Sequence, residues 1–68
     1  MTTEIDRDKL THLLEHWIEH NHSHSKSFKE WAEKVKEAGY DELAEDILLA
    51  EKKMDECSAV LEKAREKL

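Results

Sequence analysis

The chain has 68 residues, a formal charge of −6, no proline and a single glycine. Charged residues make up 41% of it and aromatic residues 6%, with Lys, Glu, Ala and Leu dominant, so the composition favours helix over sheet and allows only a small core. The 11 basic side chains are scattered among 17 acidic ones, which excludes the basic stripe that nucleic-acid binding needs, and no apolar run reaches membrane-spanning length.

Below roughly 70–80 residues, one core rarely supplies more than about 3–5 kcal/mol, and such chains usually carry a staple. The lone Cys57 excludes an internal disulfide, which leaves a metal ion or a partner. One thiol and no signal-like N-terminus make the cytoplasm the expected setting.

In chain order, Thr3 and Asp6 are the residues able to cap a first helix, and Asp6 and Asp8 suit its positive end. The series Leu10, Leu14, Trp17, Asn21, His24, Phe28, Trp31, Val35, Ala38 alternates steps of four and three, a heptad seam that predicts a helix over about 6–38. Asn21-His22-Ser23-His24-Ser25 is poor helix material, and Ser27 with Glu30 forms a capping box, so a three-helix chain is the competing reading. The unbroken heptad phase favours one long helix. Gly39 fits the left-handed position that closes a helix, Tyr40 is placed to pack back on Val35, and Asp41 is placed to cap the next helix. A second seam follows: Leu43, Ile47, Ala50, Met54, Cys57, Leu61, Ala64, Leu68. It predicts a helix over about 41–67.

The expected fold is therefore all-α, a single domain over 1–68 made of one long antiparallel helical hairpin. Folded at Gly39, the two seams bring Val35 to Ile47, Phe28 to Met54, His24 near Cys57 and Trp17 near Ala64, with a slip of about half a turn allowed. Leu13, Ile18, Leu48, Leu49 and Val60 lie beside the seam or outside it. An apolar stripe that wide calls for more than one neighbour, so a homodimer forming a four-helix bundle is expected, with Leu13, Ile18, Leu48 and Val60 between chains.

All five histidines fall between positions 12 and 24. His12, His16, His20 and His24 recur every four residues, and side chains so spaced are neighbours on a helix. An i, i+4 pair presents two imidazoles to one metal ion. His20 and His24 are the best placed, with Cys57 across the seam and His16, Glu19, water or a second chain as the fourth ligand. A His/His/Cys set suits nickel, zinc, cobalt or copper and not calcium or magnesium. His22 points elsewhere and suits a separate, weaker site. The plainer reading makes His12, His16 and His22 solvated polar residues, His24 a seam residue that sets register with Asn21, and Cys57 a small apolar side chain. Enzyme readings rest on less. Glu19 and His22 fit the Glu-x-x-His pattern of di-iron bundles once, and Cys57 with His24 would form a nucleophile pair without an oxyanion hole.

The run His16-Trp17-Ile18-Glu19-His20-Asn21, followed by His24 and then by Phe28 and Trp31, resembles a small helical domain of anaerobic archaea and bacteria that carries an HWIEHN-x-x-H motif. The similarity covers about residues 10 to 67, and His22 is an extra histidine relative to the pattern. That domain is sometimes joined to small nickel-binding accessory proteins of carbon monoxide dehydrogenase, so the resemblance implies nickel or a related metal and a metalloprotein maturation partner. The motif histidines fall on His16, His20 and His24. Composition, seam and resemblance together lead to the expectation of a non-enzymatic transition-metal carrier, buffer or accessory factor, nickel or zinc first. The alternative is a dimeric helical interaction module whose histidines are structural or pH-responsive.

Overall fold

The structure, a computed structural model, describes residues 5–68, so the expected capping role of Thr3 lies outside the described residues. Two helices account for nearly all of it: α1 (Arg7–Glu37) and α2 (Asp41–Glu66). They pack antiparallel as a hairpin 57 Å long and 16 by 15 Å in section. Each expected boundary agrees to within one residue, and no strand occurs among the described residues.

Local chemistry explains where α1 starts and stops. Asp6 is extended, and its carboxylate accepts a 2.8 Å hydrogen bond from the Lys9 amide, so it serves as the cap. Asp8 in the first turn and Lys34 and Lys36 in the last complement the helix dipole. At the far end Gly39 takes φ +96°. Its amide donates to the Lys36 carbonyl at 2.9 Å, and the Tyr40 amide donates to the Val35 carbonyl at 3.1 Å, the two bonds of a Schellman closure. Tyr40 and Val35 are thus joined through the backbone, while the tyrosine stays 64% exposed. Asp41 is not the cap. It is the first residue of α2, and Tyr40 stands at the cap position with no side-chain hydrogen bond. Asp41 and Glu42 instead act as first-turn acids beside the positive end of α2.

The three-helix alternative is absent, since α1 runs unbroken through Asn21–Ser27. Tertiary contacts override the weak local propensity. The Ser25 hydroxyl donates to the Asp55 carboxylate at 2.6 Å, and the Asn21 amide reaches the Cys57 sulfur at 3.6 Å. With Arg65 3.8 Å from Glu15, and the Arg7 guanidinium donating to the Leu68 carbonyl, these contacts fix the register. The Ser25–Asp55 and Glu15–Arg65 pairs fall within the half-turn slip allowed by the seams, and the hydrogen-bond donor at Cys57 is Asn21, about one turn before His24.

The centre of the seam also differs from expectation. The buried residues are Ile18, Ser25 and Ala32 on α1 and Ala44 and Ser58 on α2. Leu14, Asn21, Phe28 and Val35, with Ile47, Met54 and Leu61, line the seam half-buried as expected. Trp17, His24 and Trp31, assigned to the seam by apolar spacing, are exposed, and so are Leu43, Ala50 and Cys57. Contact is shifted one residue along α1, from Trp17, His24 and Trp31 to their smaller neighbours Ile18, Ser25 and Ala32. Ala32 and Ala44, 1% and 2% exposed, let the two backbones approach, whereas an indole there would hold them apart. Ile18, expected between chains, is already covered within the hairpin.

Candidate metal clamp

On α1, Trp17, His20, His24 and Trp31 follow one another at heptad-like steps along a flank just outside the seam. The helix is stiff there because α2 braces it at Asn21 and Ser25. The histidines themselves remain exposed.

The rings form a ladder. His16 and His20 are nearly parallel, with centroids 6.1 Å apart and 14° between planes. His20 and His24 meet edge to face, centroids 4.4 Å apart and 87° between planes. Their Nε2 atoms stand 3.0 Å apart, a hydrogen bond in which one ring donates and the other accepts according to tautomer. Phe28 follows His24 with centroids 6.1 Å apart. His16, Glu19, His20 and Ser23 line a shallow open depression beside the ladder.

Of the four residues expected to share a metal, His20 and His24 are brought together at their ligating atoms, and His16 stacks one turn below. Cys57 is exposed, with its sulfur in contact with the Asn21 amide. Among the described residues, no three His, Cys, Asp or Glu side chains gather closely enough to hold a metal ion. Within one chain, His20 and His24 are the two of this set whose ring nitrogens stand side by side. His24 is too exposed to act as a buried register residue, and half-buried Asn21 reaches across the seam instead. Cys57 touches Asn21, which weakens the nucleophile pair of Cys57 with His24.

Two participants escaped the sequence reading. Phe28 continues the four-residue rhythm of the histidines and closes the ladder, a signal visible in the spacing. Asp55 pairs with Ser25 from the opposite edge of the seam, and no motif marked it. Among the described residues, no helix is long and apolar enough to cross a membrane.

Residues 10–68 match the family described as "Domain of unknown function (DUF8180)". A protein of Archaeoglobus fulgidus named "Uncharacterized protein" is 40% identical over 57 residues, covering 84% of this chain and 90% of that one. No solved structure matches.

Proposed function

We propose, for a chain that belongs to the family described as "Domain of unknown function (DUF8180)", a non-enzymatic role in holding a divalent transition-metal ion between His20 and His24. The observation that carries this reading is the 3.0 Å separation of the two Nε2 atoms. Two imidazole nitrogens bound tetrahedrally at zinc-like distances lie about 3.3 Å apart, so the pair needs little rearrangement to replace its shared proton with an ion. A clamp on one rigid helix also loses little conformational freedom on binding.

Imidazole ligands suit nickel, zinc, cobalt and copper. Nickel and zinc are the preferred ions here, because the segment from His16 to His24 resembles the HWIEHN-x-x-H motif of domains joined to nickel-binding accessory proteins. A carrier, buffer or maturation factor in the cytoplasm, acting on a metalloprotein partner, fits an exposed clamp without an enclosed pocket. The second reading, a dimeric interaction module, is favoured by the exposed apolar side chains Trp17, Trp31, Leu43 and Val60.

Titrating the metal-free chain with cobalt, nickel and zinc tests the proposal. The parent should bind, and a His20→Ala/His24→Ala variant of intact helicity should fall to the background set by His12, His16 and His22. Equal affinity in the two proteins would overturn the metal reading in favour of the interaction module.

A further inference from the structure

We propose that the clamp is half of a metal site, completed by His20 and His24 of a second copy of this chain; this rests on the metal reading of the clamp. Two nitrogens leave a tetrahedral ion two ligands short. Among the described residues no third His, Cys, Asp or Glu joins them to complete a site.

The clamp lies on the flank that also carries uncovered apolar surface. Leu13, Trp17, His20, His24 and Trp31 share one stripe at steps of three, four and seven, and Leu13, Trp17 and Trp31 are each more than 40% exposed. Across the seam, the Asn21–Cys57 contact marks the edge of α2 that adjoins this stripe, and exposed Leu43 lies two heptads before Cys57 on the same edge. The other edge of the seam carries the Ser25–Asp55 hydrogen bond. One broad face of the hairpin therefore carries uncovered apolar side chains from both helices.

That face is self-complementary. α1 spans Arg7–Glu37, so its midpoint is residue 22. His20 and His24 are equidistant from that midpoint, and so are Leu13 and Trp31. A two-fold axis crossing α1 at right angles there lays the helix antiparallel on its counterpart. It sets His20 opposite His24 of the second copy, and Leu13 opposite Trp31 of the second copy, the isologous arrangement of a cyclic dimer. Four imidazoles then converge on the axis, in the core of a four-helix bundle, where metal sites are built from facing helices. The hairpin, 57 Å long and 16 Å wide, has a projected outline of roughly 900 Å², so a face of it is large enough to hold the about 800 Å² per partner of a stable interface.

Native mass spectrometry of the full chain, titrated with cobalt(II), tests the inference. The expected species holds one cobalt per two chains, at about twice the 8.0 kDa chain mass. One cobalt per 8.0 kDa monomer would overturn the shared site and leave the clamp as a self-sufficient ligand pair. No cobalt at all would overturn both readings. A Trp31→Glu variant keeps every histidine and alters an exposed position. It should lose the dimer and bind cobalt about tenfold or more weakly, and unchanged affinity would count against the shared site.

Discussion

The Nε2 atoms of His20 and His24 lie 3.0 Å apart, one helical turn from each other, on an exposed flank of a helix braced from behind. Under the proposed metal role, a proton and a metal ion would compete for the same lone pairs at that point. Removing either imidazole with alanine should weaken cobalt or nickel binding about tenfold, about 1.4 kcal/mol. His16→Ala should cost less, and His12→Ala and His22→Ala should cost little. Binding should also weaken as pH falls, because a ligating imidazole must be neutral. Isothermal titration of the single variants at two pH values would check the order; a dominant loss at His12 or His22 would place the ion elsewhere.

Cys57 gives a sharper spectroscopic test. Its sulfur faces the Asn21 amide, and it joins no three-residue cluster. The cobalt complex should therefore lack the intense near-ultraviolet band of a thiolate ligand, and Cys57→Ser should leave cobalt affinity unchanged. A thiolate band in the parent that disappears in the variant would restore Cys57 to the ligand set.

The two buried serines should respond to the same substitution with opposite signs. Ser25 donates a 2.6 Å hydrogen bond to the Asp55 carboxylate, so Ser25→Ala should destabilise the hairpin by about 1–2 kcal/mol. Ser58 is 2% exposed and its hydroxyl has no partner among the described residues, so Ser58→Ala should stabilise it by about 1 kcal/mol. Urea denaturation of both variants reads the pair. Destabilisation by Ser58→Ala would mean that its hydroxyl is satisfied in solution.

Ala32 and Ala44 set the distance between the helices. Leucine at either position should cost about 1–3 kcal/mol, because the seam has no room for three more carbons. Leucine at an exposed alanine such as Ala59 is the control and should change stability by less than about 0.5 kcal/mol. Equal effects at buried and exposed alanines would argue against close packing.

Gly39 isolates a backbone effect. A Cβ built there meets nothing within 4 Å, so Gly39→Ala should destabilise through its φ of +96° alone, by about 1 kcal/mol. Asparagine, which tolerates the left-handed region better, should cost less. Thermal denaturation of the two variants separates these cases; equal loss would point to some cause other than backbone conformation.

The hairpin was legible in the sequence because its signals are local: an Asp6 cap, a left-handed Gly39, and heptads on either side. The seam centre was less legible because counting apolar residues favours large ones. Trp17, His24 and Trp31 carry the same spacing as Ile18, Ser25 and Ala32, displaced by one position, and only the need for close backbone approach selects the smaller set. Ser25 and Ser58, being polar, gave no signal as core residues. The closeness of His20 and His24 was legible because an i, i+4 pair is geometry internal to one helix. The position of Cys57 depends on interhelical register, which a heptad specifies only loosely.

The single turn at Gly39 also orders the folding of the molecule. Contacts beside the turn, such as those around Ala32 and Ala44, close short loops, whereas the pairing of Arg7 with Leu68 closes nearly the whole chain. The hairpin should therefore zip from the turn towards the open end, and fray in reverse. Amide exchange should be fastest at the end that holds Arg7 and Leu68. His20 and His24 both stand on α1, halfway along it, so an ion bound between them would tie one turn of α1 to the next and slow exchange of the amides in that stretch.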